Sequence, residues 1–229
     1  KVKFPLTYHY LNTYRRELES RSTHKLWGKR NPFYSVYDIG SYTFAPYKVV
    51  WKRIAGAITG KAISFACAVV EPLSSELIGT RPVIPEHTMI MMEFYNPDEA
   101  YYVSGILNSL PVKTVIASYT YELRQETHIV DFVKVPKYDP KNNLHKMIAE
   151  LSRRAHELAA CVHARTKPEA CEDVRNPEEE LRKVEDELDR AVAELYRIPE
   201  YALADFRGLL EALSGKGIPE EAPEPSTGA

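Results

Sequence analysis

Leu6, Tyr10, Tyr14 and Leu18 recur every four residues while Arg15, Arg16 and Arg21 take other positions. That spacing predicts an amphipathic helix from Leu6 to about Arg21. A glycine- and aromatic-rich stretch follows from Trp27 to Pro46. Three runs rich in β-branched and aromatic residues come next, Tyr47 to Ile54, Ala62 to Val70 and His87 to Phe94, and predict buried strands. Asn96-Pro97-Asp98-Glu99 supplies a cap residue, a proline at the first helical position and an acid three after the cap. A helix should start there, with Val103, Ile106, Leu107 and Leu110 as its inner face. The run Val112 to Ala117 is helix or strand by length. Alternation from Thr127 to Val135 predicts one more strand, ending at Pro136.

Beyond Lys137-Tyr138-Asp139-Pro140 the pattern changes. Leu144, Ile148, Leu151, Ala155, Leu158 and Val162 form a heptad seam. Asn176-Pro177-Glu178-Glu179 repeats the capping pattern, and Leu181, Val184, Leu188, Ala191 or Val192 and Leu195 make a second seam. Two such helices pair as an antiparallel hairpin. Glu178, Glu185, Glu187, Asp189 and Glu194 read as its solvated outer face. A last short helix is expected from about Tyr201 to Leu213. The Pro/Glu/Gly/Ser-rich segment from Gly215 to Ala229 reads as disordered. The expected fold is α+β: a mixed sheet with flanking helices over residues 1–140, an antiparallel helical hairpin tail over 141–214, and a disordered segment over 215–229.

Composition narrows this picture. With 44% hydrophobic and 27% charged residues the 229-residue chain is globular rather than disordered. The most apolar window, Ile54 to Val70, contains Lys61 and falls short of the roughly 20 residues a membrane helix needs. Lys1 is not followed by an apolar signal segment, so the expected location is the cytoplasm, and the chain reads as a piece of a longer protein. Cys67, Cys161 and Cys171 are odd in number and sparse, which fits reduced thiols, with Cys67 in the core. The net charge of −2 hides a split: residues 1–60 carry +8 and residues 61–229 carry −10. The basic segment also holds Tyr8, Tyr10, Tyr14, Trp27, Phe33, Tyr34, Tyr37, Tyr42, Phe44, Tyr47 and Trp51. Cations interleaved with flat π-faces suit nucleic acid, or equally a solvated basic face over an aromatic core. Trp51 is expected to pack within a strand rather than to stack on a base.

No motif for catalysis stands up. Gly56-Ala57-Ile58-Thr59-Gly60-Lys61 is one residue short of a phosphate-binding loop and has Ala62 where a magnesium-binding hydroxyl belongs, so it reads as a hairpin turn. Asn31-Pro32-Phe33-Tyr34 is similar to the Asn-Pro-Pro-Tyr loop of amino-methyltransferases but lacks the second proline and any upstream glycine-rich cofactor turn. It reads as a turn. Cys161, His163 and Cys171 lack the C-x-x-C pair of a zinc site, and Glu122, Glu126 and Asp131 read as surface acids rather than a nuclease centre. Catalytic and metal residues are therefore expected to be absent.

Three stretches carry a family resemblance. Asn31 to Ser35 running on through Tyr42 to Trp51 resembles the opening of the target-recognition region that follows the catalytic domain in N6-adenine DNA methyltransferases of restriction-modification systems. Tyr101-Tyr102-Val103-Ser104-Gly105-Ile106-Leu107-Asn108-Ser109 resembles the "GxLNS" helix of that region. Val133 to Pro140, Glu150 to His156 and Leu188 to Tyr196 resemble its terminal strand and helical tail. The resemblance spans about residues 4–205 and is to the TaqI-like and type IIG kind, in which catalysis lies in an N-terminal domain and sequence choice in a C-terminal one.

The resemblance implies double-stranded DNA and an N-terminal methyltransferase domain or subunit as partners. It implies no cofactor in this chain and S-adenosylmethionine in the parent's other domain. Such a region holds a duplex by its phosphates and reads base edges. Lys25, Lys29, Arg30, Lys48, Lys52 and Arg53 are the phosphate candidates. Arg124 and Gln125, in the polar stretch Ser118 to Thr127, are candidates for guanine and adenine edges, followed by Arg53, Tyr42 and Ser41. The competing reading is a protein-interaction module acting through the helical hairpin.

Overall fold

The computed structural model describes residues 3–28, 30–53, 65–119, 130–163, 171 and 174–215. The chain is α+β and divides into two compact units, Lys1–Thr43 and Phe44–Ala229.

In the first unit the expected single helix is three short ones: α1 (Pro5–Thr13), α2 (Arg15–Ser20) and α3 (Ser22–Trp27). Tyr14, at φ −104° and ψ 23°, separates α1 from α2, and Arg21, at φ −54° and ψ 138°, separates α2 from α3. The breaks let two arginines turn back onto the following loop. Arg21 donates to the carbonyls of Leu18, Phe33 and Ser35, and the Arg15 guanidinium lies 4.7 Å over the Phe33 ring. Tyr8 meets Phe33 and Tyr34 edge-on. The face that packs is therefore Tyr8's, and Leu6, Tyr10 and Tyr14, expected to be the inner stripe, are exposed.

The second unit is built on a three-stranded antiparallel sheet of order β2-β1-β5, formed by β1 (Tyr47–Lys52), β2 (Cys67–Val70) and β5 (Met89–Phe94). Val49 pairs with Val69 and Met92, and Trp51 pairs with Cys67 and Ile90. Ile54 and residues 62–64 of the expected runs, like the 56–61 loop, lie outside the described residues. Val49 and Trp51 belong to the hydrophobic core with α4 (Pro97–Asn108), whose Tyr102, Ile106 and Leu107 are fully enclosed. As the capping pattern predicts, the Asn96 side chain accepts from the Asp98 amide at 2.9 Å.

The undecided run is helical: α5 (Leu110–Tyr119) follows α4 directly. No strand forms over 130–135, and 127–129 lie outside the described residues. The alternation there instead seats Val130, Val133 and Val135 against the core from an irregular segment. Then come α6 (Asn143–His163), α7 (Pro177–Leu195) and α8 (Ala202–Gly215). Arg154 in the second half of α6 reaches Glu180 in the first turn of α7 at 3.3 Å, so the pair runs antiparallel. Asn176 caps α7 as expected. The hairpin does not stand apart from the sheet's core: Ile148, Ala149, Leu188, Ala191 and Val192 share it.

Two expectations are corrected here. Cys161 and Cys171 form a disulfide, with Cα atoms 5.6 Å apart, because the end of α6 and the approach to α7 meet; only Cys67 is a thiol, and it is buried. Asp189 is not on the solvated face. Its carboxylate caps α5, accepting from the Leu110 amide at 2.7 Å, and burial raises its pKa above the usual carboxylate range.

Candidate nucleic-acid interface

The expected cations occupy different settings. Arg30 is exposed after α3, and Ser41 is exposed at the start of the 3-10 turn Ser41–Phe44. In that turn the half-buried Tyr42 hydroxyl contacts the Asp38 carbonyl at 2.8 Å and its carboxylate at 3.0 Å, so the phenol is anchored within its own loop. Along β1, Lys52 is exposed at the strand end. Arg53 follows, its amide donating to the Thr88 carbonyl at 2.8 Å and its guanidinium reaching the His87 carbonyl at 3.5 Å.

Lys48 corrects its expected phosphate contact. It is 1% exposed, and its ammonium donates to the Ala45 carbonyl at 2.6 Å. Burial lowers its pKa. A phosphate cannot reach it in this conformation. Lys29, Arg124 and Gln125 lie outside the described residues.

The stretches that resemble the recognition region turn out to hold the fold together. Gly105 sits where α4 crosses α6: a Cβ there would stand 3.0 Å from the Ser152 Cβ and 3.1 Å from the Ile148 methyl. Three residues on, the Asn108 carboxamide accepts from the Cys67 amide at 3.1 Å and donates to the Cys67 carbonyl at 2.8 Å. His156 on α6 accepts at Nε2 from the Val69 amide at 2.9 Å, and its other nitrogen meets the Ser152 carbonyl at 2.7 Å. Since β2 is an outer strand, these two side chains take the place of a missing neighbouring strand. Burial of the ring lowers the His156 pKa, and the nitrogen that accepts from Val69 carries no proton. Further along, Arg153 pairs with Asp98 at 2.7 Å and lies over the Tyr101 ring. Tyr196 donates to the Lys134 carbonyl at 2.8 Å, which fastens the irregular segment to the end of α7.

No element was expected in the connection between β2 and β5. It carries a two-stranded ribbon, β3 (Leu73–Ser75) and β4 (Gly79–Arg81), with Ser74 opposite Thr80 and their hydroxyls 2.8 Å apart. Gly79 takes φ +68°, the left-handed residue that closes a three-residue hairpin loop. Every residue from Leu73 to Arg81 except Ser75 is exposed, and at the tip Leu77 is 94% and Ile78 61% exposed. The signal available in the sequence was the flanking of this segment by Pro72 and Pro82 with Gly79 between.

Other features are self-satisfied. A cavity of about 580 Å³ is lined by residues of β2, α6, α7 and α8. Within its lining Arg207 meets Asp186 at 2.9 Å. Among the described residues no three His, Cys, Asp or Glu side chains converge as a metal site, and no helix is long and apolar enough to cross a membrane. Both sheets are antiparallel, so the described residues contain no βαβ crevice for a nucleotide-like cofactor.

What the fold defines is thus a helix-backed antiparallel sheet bearing cations at one strand end and a protruding ribbon. No family model matches the chain, and no solved structure does. Over 108 residues, 46% of this chain, it is 26% identical to the type II methyltransferase M.NspV of Nostoc sp. (strain ATCC 29411 / PCC 7524), and it covers 19% of that protein's length. This similarity supports a methyltransferase-related origin.

Proposed function

We propose that the chain is the duplex-DNA recognition region of a restriction-modification methyltransferase acting on adenine N6. The similarity to a type II methyltransferase carries the reading. The +8 charge of residues 1–60 supports it. On this reading Arg30, Lys52 and Arg53, with Lys29, are the phosphate contacts, and Ser41, Tyr42, Arg124 and Gln125 the base-edge contacts. Transfer of the methyl group belongs to a separate N-terminal methyltransferase domain or subunit, which would hold S-adenosylmethionine. No step of that chemistry is assigned to residues of this chain. The region's own work is to grip the duplex beside the target so that the partner receives a base out of the stack. The hairpin is less suited to be the interaction surface, since Ile148, Leu158, Leu188 and Val192 of its two seams are buried.

The test is fluorescence anisotropy with random-sequence duplex from about 50 to 200 mM salt, since log K falls by about 0.9 per phosphate neutralised per decade of salt. The expected result is binding that weakens steeply with salt, and a slope reduced by up to about 2 in Lys52→Ala/Arg53→Ala. Salt-independent binding, or none at the lowest salt, refutes the reading.

A further inference from the structure

The two outer strands of the main sheet are finished differently. The Arg53 amide donates to the Thr88 carbonyl at 2.8 Å, continuing the register in which Lys52 faces Met89. Backbone groups in an antiparallel pair turn alternately toward and away from the neighbour, so Ile90, Met92 and Phe94 bond to β1 while Met89, Met91 and Glu93 face outward. The same alternation turns Cys67 and Val69 of β2 outward, and there Asn108 and His156 cover them. On β5 nothing equivalent is present among the described residues. The Met89 amide closes a turn onto the Glu86 carbonyl at 2.9 Å. The Met89 carbonyl and both backbone groups of Met91 and Glu93 have no hydrogen-bond partner among the described residues.

β5 also lacks the features that blunt an edge. It pairs with β1 over its whole length without a bulge, and it contains no proline and no lysine. A second β5 fits this edge. In an antiparallel pair about a two-fold axis at Met91, the two Met91 residues exchange both of their bonds, and each Glu93 amide donates to the second copy's Met89 carbonyl. The Met89 amide, already taken by the turn, is not required for these bonds. Charge agrees with the same register. Each Glu93 opposes the second copy's Met89, and beside that Met89, on the same face of the sheet, stands Lys52. With strands about 4.8 Å apart, the Glu93 and Lys52 Cα atoms then lie about 10 Å apart, a span that two long side chains cover. Both residues are exposed, and neither is in an ion pair among the described residues. An axis at Glu93 would instead set two carboxylates face to face, which is destabilising.

We propose that the chain self-associates through β5, two copies pairing edge to edge and antiparallel about Met91 so that their sheets become one. This inference is independent of the DNA-recognition reading. Pairing along one short strand is a small contact by the standard of stable dimers, so the association is weak and concentration-dependent.

Sedimentation velocity of the full chain without DNA, over about 5 to 500 μM, should show a monomer–dimer equilibrium. Met91→Pro removes an amide that the ladder to β1 does not use, so the variant should keep the fold, which a matched thermal melt checks, and stay monomeric. Two charge variants test the register. Lys52→Glu should weaken association about 10-fold. Glu93→Gln should weaken it about 3-fold in the wild-type background but strengthen it about 3-fold in the Lys52→Glu background, where it removes a repulsion. Hydrogen exchange supplies a readout that needs no variant. The Met91 and Glu93 amides of the wild type should become more protected as concentration rises, and the Met92 amide, already bonded within the sheet, should change least. A monomer at every concentration overturns the proposal and leaves the edge to an extended peptide of another protein. A dimer that persists in Met91→Pro, or that forms without protecting those two amides, overturns it as well.

Discussion

Asn108 offers the sharpest way to separate folding from DNA contact within the stretch that resembles a recognition motif. Its carboxamide makes three hydrogen bonds, at 3.1 and 2.8 Å to the Cys67 backbone and at 3.3 Å to the Ser104 hydroxyl. Asn108→Ala strips the Cys67 amide and carbonyl of their partner at a residue that is 8% exposed. A buried polar group left unpaired costs about 1–3 kcal/mol. Two such groups, partly relieved by water at the sheet edge, give an expected loss of about 2–4 kcal/mol. That is a large share of the about 5–15 kcal/mol that holds a typical domain together. Asn108→Asp keeps the acceptor for the Cys67 amide but turns a carboxylate toward the Cys67 carbonyl, so it should be no better than alanine above the acid range. Urea unfolding with a constant m-value measures the loss, and faster hydrogen exchange at the Cys67 amide locates it. Per folded molecule, DNA affinity should be unchanged. A stability change under about 0.5 kcal/mol, the size of an ordinary surface substitution, would refute the bracing role.

Further outcomes follow from the same contacts. His156 is held neutral in the fold, so its contribution is complete above its ordinary pKa near 6.5 and is lost as pH falls from there toward its lowered folded value; the urea midpoint should drop between pH 7 and 5, and less so in His156→Gln. The Tyr102 hydroxyl is buried without a hydrogen-bond partner among the described residues. Tyr102→Phe should therefore match or exceed wild-type stability by up to about 1 kcal/mol in a thermal melt. Closing the Cys161–Cys171 loop, 10 residues apart in sequence, contributes about 2–3 kcal/mol on chain-entropy grounds, so reduction should lower the urea midpoint. A thiol titration of the unfolded, unreduced protein should find Cys67 alone. Lys48→Met should leave DNA affinity intact, because its ammonium is enclosed beside the Ala45 carbonyl, whereas Lys52→Ala/Arg53→Ala weakens it.

Local rules in the sequence determined a good deal of this protein. Asn96-Pro97 and Asn176-Pro177 start helices because a side-chain cap and a fixed proline φ act over four residues, independent of what packs above them. The 3-4 spacing over Leu144–Val162 and Leu181–Leu195 compels two helices with an apolar edge each, and an α+β fold follows once the β-branched runs at 47–52 and 67–70 are added. Periodicity does not say which partner covers a face. Leu6, Tyr10 and Tyr14 have the spacing of an inner stripe, yet the first unit turns on Tyr8, Phe33 and Arg21, whose contacts cross a dozen or more residues. Charge in the sequence likewise cannot distinguish Lys48, folded inward onto a carbonyl, from Lys52 four residues later at the strand end. Only the tertiary structure decided that Asp189 caps α5, that Asn108 and His156 stand in for a neighbour of β2, that Cys161 meets Cys171, and that Leu77 and Ile78 project from a ribbon. Each depends on segments far apart in sequence being brought within hydrogen-bonding or bonding distance, or on a segment being left out of the core, and neither is encoded in any window of adjacent residues.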